Sequence, residues 1–254
     1  MKHIPNLFTL LNLVFGCLAI VCILQNGITI AVDNNGAQLM AMPEKIWMAS
    51  LFIGLAAVVD FFDGFIARLF KASSEMGKQL DSLADIVSFG VAPGMIIYQF
   101  LRMSFAKEEG GIDVSVIWLA AAFIIPAAAA FRLAKFNLDS RQQFSFKGVP
   151  TPAVGLFIAS LPLIYWQVNE AGVIDLLLNK WFLYGLVLLL SYLMIAPFPM
   201  LSLKFKDYSL KNNLPKYILA GITITAVILL QWIAVPVVFI AYVLISLLFK
   251  NKIA

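Results

Sequence analysis

Charge is scarce in this chain. Of its 254 residues only 13% are charged and 62% are hydrophobic, whereas a soluble domain carries about 25% charged residues. A soluble protein has to cover its surface with polar groups, so the deficit excludes an ordinary soluble globule and points to a bilayer. Histidine is nearly missing: the one copy is His3, at the terminus. That argues against a histidine metal centre or a histidine general base and leaves both kinds of chemistry to carboxylates. Cysteine is limited to Cys17 and Cys22 in one apolar run, which reads as two small apolar side chains. A cleavable leader is not expected either. The run after Lys2 and His3 reaches about twenty residues, too long for a leader's apolar region, and no small-residue cleavage site closely follows it. No repeat, low-complexity tract or soluble domain is visible, so the chain reads as one domain over 1–254.

What is abundant is long apolar sequence. A membrane-crossing helix needs about twenty mostly apolar residues. Eight such spans are expected, at 5–25, 46–70, 82–104, 115–135, 151–168, 181–203, 215–231 and 234–250. The last two form one tract, divided on the strength of Gln231, Trp232 and Pro236. With the N-terminus inside, fourteen of the eighteen Lys and Arg residues fall on the inner side, and Lys45, Arg102, Lys107 and Lys180 on the outer. Such a bias orients a membrane protein with its basic loops in the cytoplasm. Both termini and a basic face are therefore expected at the cytoplasmic side of the cell membrane. The net charge of +4 suits anionic headgroups and is not a nucleic-acid signal.

Against this background four aspartates stand out. Asp60 and Asp63 lie near the end of the second span; Asp81 and Asp85 open the third. Each costs about 2.5–3.5 kcal/mol to insert without compensation. Spacings of three and four residues put each pair on one helix face, and a short link makes the two helices antiparallel neighbours. Four carboxylates converging in a low-dielectric site stay ionised only with cations between them. All-oxygen ligands select hard divalent ions such as Mg²⁺ or Mn²⁺, and four suit a pair of metals about 3.5–4 Å apart that clamps a phosphoryl group. Pairing with Arg68, Lys71 and Lys78 for structural reasons is the alternative.

The pattern Asp60-x-x-Asp63-Gly64-x-x-Ala67-Arg68, eight residues, then Gly77-x-x-x-Asp81-x-x-x-Asp85 resembles the signature of the CDP-alcohol phosphatidyltransferase family at every fixed position. The resemblance implies an all-α integral membrane bundle of about eight transmembrane helices. It implies that Asp60, Asp63, Asp81 and Asp85 bind two divalent metals that hold the pyrophosphate of CDP-diacylglycerol. It makes Asp85 also the base that deprotonates the acceptor hydroxyl; spacing alone does not choose among the four. Gly64, Ala67 and Gly77 would line the nucleotide pocket, and Arg68 would contact phosphate. Family members are commonly homodimers, and Ala120–Ala122 with Pro126–Ala130 offers a small-residue surface for a partner helix.

The family shares a donor and varies the acceptor. Its glycerol-3-phosphate branch has proline after the third aspartate and lysine after the fourth; here stand Ser82 and Ile86. The stretch 81–94 is instead similar to the membrane-type phosphatidylserine synthases. So are Pro5-Asn6-Leu-Phe-Thr9-Leu-Leu-Asn12, Phe131-Arg132-Leu-Ala-Lys135-Phe-Asn137 and Gly148-Val-Pro150-Thr151-Pro152. L-serine is the acceptor this implies. Arg132 and Lys135 share a face and would hold the serine carboxylate or a lipid phosphate, or else anchor the helix at the interface. Asn6, Thr9 and Asn12 form a polar stripe that reads either as an edge reader for the CDP-lipid or as hydrogen-bonding glue between helices. Two rival functions remain at this point: the same chemistry on inositol, inositol phosphate or glycerol 3-phosphate, and a divalent-cation transporter with aspartates along its path.

Overall fold

A computed structural model describes residues 4–25, 29–32, 38–41, 45–69, 74–108, 110–138, 146–168, 170–202 and 209–249. Its frame is α-helical, as an apolar chain requires when no water is at hand to satisfy backbone groups. Helix α1 (Ile4–Leu24) leads through a small ribbon, β1 (Thr29–Val32) against β2 (Gln38–Ala41), to α2 (Ile46–Leu69). Next come α3 (Glu75–Ile86), a π-helical turn Val87–Val91 and α4 (Ala92–Ala106). The following leg runs α5 (Val116–Leu119), a 3-10 turn Ala120–Phe123 and α6 (Ile124–Leu138). Then follow β3 (Phe146–Lys147), α7 (Thr151–Gln167), α8 (Ala171–Leu177), α9 (Lys180–Ile195), β4 (Pro199–Met200), α10 (Leu210–Leu230) and α11 (Ala234–Leu248).

Among the described residues five helical stretches are long and apolar enough to cross a membrane, and six if α8 and α9, bent by 59°, count as one. The stretch 213–248 is one of the five, but it folds back on itself. Leu201, Leu219 and Ile245 form one buried cluster, whereas a straight helix would hold Leu219 and Ile245 about 39 Å apart at 1.5 Å per residue. The reversal sits at Gln231, whose φ of 50° breaks the helix before a 3-10 turn Gln231–Ile233, at the place the sequence suggested. With α7, 17 residues long, the bundle has the eight apolar legs expected.

Three boundaries differ from expectation. The third leg begins at Glu75, because Ser74 caps it by accepting from the Gly77 N–H at 3.0 Å, a favourable helix start. The sixth ends at Ile195 rather than 203, because Pro197 and Pro199 cannot continue a helix; β4 then pairs with β3. The seventh begins at Leu210 and kinks at Asn213 (φ −113°), ahead of Pro215.

The π-helical turn is the centre of the bundle. Ser88, Phe89 and Gly90 are fully buried there. A Cβ on Gly155 of α7 would stand 2.9 Å from Phe89 Cβ and 3.0 Å from its Cα, so only glycine lets α7 approach this closely. On the other side Gly16 of α1 lies against Ser88, whose hydroxyl donates to the Asn12 carbonyl at 2.9 Å. α1 thus packs on both α2 and α3, which fixes where their aspartates point.

Candidate active site

Asp60, Asp81 and Asp85 each present a carboxylate oxygen within 4.8 Å of the other two. They come from two helices, α2 and α3. No described lysine or arginine is paired with them: the described ion pairs, Lys107–Asp175 at 3.2 Å and Lys180–Glu108 at 2.6 Å, are at the opposite end of the bundle. Of the candidate partners, Lys78 donates to the Asn137 carbonyl instead, and the Arg68 side chain and Lys71 lie outside the described residues. The donor set fits a hard divalent cation: all oxygen, three carboxylates, converging within one coordination sphere's width.

Asp63 is not in this group. Three residues on from Asp60, and near enough to interact electrostatically with Asp60 and Asp81, it is rotated by about 60° around the helix, towards α1. There it is buried and its Oδ2 accepts from the Thr9 hydroxyl. Asn12, one turn further along α1, donates from Nδ2 to Asp85 Oδ1 at 3.3 Å. Thr9 and Asn12 are buried. They tie α1 to α2 and α3 through Asp63 and Asp85, and neither is among the residues that line the cavity described below. Asn6 is the third of the stripe; a Cβ on Gly77 would meet its Oδ1 at 3.1 Å. Gly77 thus abuts Asn6 and the α3 cap, and neither Gly77 nor Asn6 lines the cavity described next.

The three aspartates line a cavity of about 590 Å³. Gly64 lines it too, with nothing within 4 Å of where a Cβ would stand, so any larger side chain there would intrude on the space. The far wall carries Arg132, Asn137, Pro150 and Tyr242. Arg132 is 9% exposed; one Nη donates to Thr151 Oγ1 at 3.2 Å and its Nε has no partner. Lys135, expected beside it, is exposed and borders an adjoining narrow crevice with Lys147 and Ile195, of which Arg132 and Phe136 are also part. The side chains of Ala67 and Arg68 lie outside the described residues.

Sequence reading missed three features of this wall. Lys78, on α3, lines the cavity and donates from Nζ to the Asn137 carbonyl at 3.3 Å. Asn137 Nδ2 donates to Ser82 Oγ at 2.8 Å, tying α6 to α3 beside the aspartates. Tyr242, from the last helix, had no visible signal: one tyrosine in an apolar run reads as lipid-facing.

A family model described as CDP-alcohol phosphatidyltransferase matches residues 2–196. Proteins named CDP-diacylglycerol--serine O-phosphatidyltransferase are similar to the chain. One from Bacillus subtilis is 33% identical over 184 residues, 71% of this chain and 89% of that protein. One from Helicobacter pylori is 29% identical over 226 residues, 88% and 80% of the two chains. One from Saccharomyces cerevisiae is 35% identical over 159 residues, 59% and 50% of the two chains.

Proposed function

The chain belongs to the CDP-alcohol phosphatidyltransferase family, and from that premise we propose that it transfers the phosphatidyl group of CDP-diacylglycerol to the hydroxyl of L-serine, giving phosphatidylserine and CMP. The observation that carries this reading is the cavity itself. Three carboxylates from α2 and α3 gather on one wall and a buried guanidinium with a free N–H faces them from α6. A carboxylate wall suits a metal-bound pyrophosphate, and a buried arginine suits the acceptor's carboxylate. The similar proteins named for serine support that choice of acceptor, as does Ile86 in place of a lysine.

In this reading the serine hydroxyl oxygen attacks the phosphorus that bears the diacylglycerol. The new bond is serine O–P, the broken one is that phosphorus to the bridging oxygen, and CMP leaves with the bond's electrons. Asp85 takes the hydroxyl proton, held in place by Asn12. Asp60, Asp81 and Asp85, with Asp63 as the fourth carboxylate, would hold two divalent ions, Mg²⁺ or Mn²⁺. Such ions neutralise charge on the transferring phosphate and on the leaving CMP. Gly64 leaves room for the nucleotide, Gly77 and Asn6 shape the adjoining end of α3, and Ala67 and Arg68 complete the motif. Arg132 docks the serine carboxylate, so its hydroxyl is presented to the phosphorus rather than to solvent. A single catalytic unit over 1–254, a homodimer, and a site facing the cytoplasm with both termini on that side complete the proposal.

The test is purified protein with CDP-diacylglycerol, Mn²⁺ and one acceptor at a time: serine, inositol, inositol phosphate or glycerol 3-phosphate. Serine should release CMP, glycerol 3-phosphate should not, and EDTA should stop release. Preference for another acceptor overturns the serine reading; CMP release from none overturns the transferase reading.

A further inference from the structure

Part of the cavity wall comes from beyond residue 196, where the family match ends: Leu201, Ser202 and Tyr242. Tyr242 does more than fill space. Helix α11 grips residue 201 by both of its backbone groups. The Leu201 N–H donates to Ser246 Oγ at 3.1 Å, and the Tyr242 hydroxyl donates to the Leu201 carbonyl at 3.2 Å. The Ser246 hydroxyl donates in turn to the Tyr242 carbonyl at 2.7 Å. Two polar side chains one turn apart on an apolar helix are thus spent on a single residue of another segment.

The gripped segment belongs to the cavity. Just before it, β4 pairs with β3, the Gly148 N–H donates to the Phe198 carbonyl at 2.9 Å, and Val149 N–H donates to the Leu193 carbonyl at 2.9 Å. Holding Leu201 therefore also holds the strand that delivers Pro150 and Pro152 to the same wall. Tyr242 lines this cavity together with Arg132 and Asp85. Among the described residues that line the cavity, Arg132 is the one that is nine-tenths buried, charged and left with an unused N–H, a costly state that an anionic ligand relieves.

We infer that Tyr242, carried by the α10–α11 hairpin outside the matched family segment, is a positioning residue for the acceptor. It fixes the Leu201–Pro150 wall that faces the cavity beside Arg132, so that the acceptor's carboxylate docks on the guanidinium with its hydroxyl beside Asp85. The inference rests on the cavity being the transfer site. The nucleotide end, at Asp60 and Gly64 of α2, is built from other elements and owes nothing to this grip.

Tyr242→Phe keeps the ring and removes the hydroxyl; Ser246→Ala removes the second grip and carries the test by itself if the first variant does not purify. For each, serine KM, kcat and CDP affinity in Mn²⁺ are measured beside wild type. Tyr242→Phe should raise serine KM about tenfold, the worth of one hydrogen bond, with kcat within about threefold and CDP affinity unchanged. Ser246→Ala should raise serine KM about threefold by the same reckoning. Unchanged serine KM in both variants, or a matching loss of CDP affinity, overturns the positioning role. If wild type prefers another acceptor, the serine reading falls alone and the KM shift is read on that acceptor. If wild type turns over none, the inference falls with the transferase reading.

Discussion

Asp85 differs from the other aspartates in its company. Its Oδ1 is held by Asn12, it faces Arg132 across the cavity, and it is buried. Asp60 and Asp81 have the cluster and the neighbouring charge of Asp63, and Asp63 has Thr9. These settings predict different defects. Asp60→Asn and Asp81→Asn remove charge from the phosphate-holding group, so both should lose CDP binding and turnover together while still inserting and purifying. Asp85→Asn should lose turnover by about 10²–10⁴, the usual cost of a missing base, and lose CDP affinity less, as expected of a group acting mainly in the transition state. CDP titration in Mn²⁺ beside single-turnover rates separates the two patterns. A near-normal rate in Asp85→Asn would remove it from the chemistry. The aspartates were legible because a charge inside an apolar span has so few innocent explanations. The turning of Asp63 to Thr9 was not, because helical spacing gives a shared face but not which neighbour occupies its edge.

At the scale of elements, the aspartates depend on how closely helices approach the π-helical turn. Gly155 admits α7 to within contact of the Phe89 backbone. Gly155→Ala should push the two apart and lower the melting temperature in detergent, by an overpacking cost of about 1–3 kcal/mol. Gly54→Ala, where nothing stands within 4 Å of the added atom, should leave it unchanged. Equal melting temperatures for both variants would show that the approach is not constrained. Apolar length located each leg in the sequence, and Gln231 with Trp232 located the reversal between α10 and α11. The π-helical turn left no such trace: Val87–Val91 is compatible with an ordinary helix, and its wider winding comes from packing against α1, α6 and α7, which is tertiary. Tyr242 was hidden for the same reason, since only folding brings α11 to Leu201.

Over the whole molecule the two ends of the bundle differ in kind. The cavity, Lys78, Arg132 and Lys147 share one end. Trp47, Trp118, Trp166, Trp181 and Trp232 begin or end legs at the other, beside the Lys107–Asp175 and Lys180–Glu108 pairs. Tryptophan marks a membrane interface and lysine or arginine the cytoplasmic side, which is the basis for the proposed orientation. A cysteine placed at the exposed Asp113 should react with an impermeant maleimide in intact cells. One at the exposed Lys147 should react after permeabilisation only; the reverse pattern would invert the topology. The central claim is narrower, that this cavity joins serine to a phosphatidyl group with Asp85 as base. It is tested most directly by giving purified protein radiolabelled serine, CDP-diacylglycerol and Mn²⁺, then counting label in the lipid phase against CMP released. The account predicts equal amounts of the two, both lost in Asp85→Asn. CMP without labelled lipid, or labelled lipid undiminished in Asp85→Asn, would contradict it.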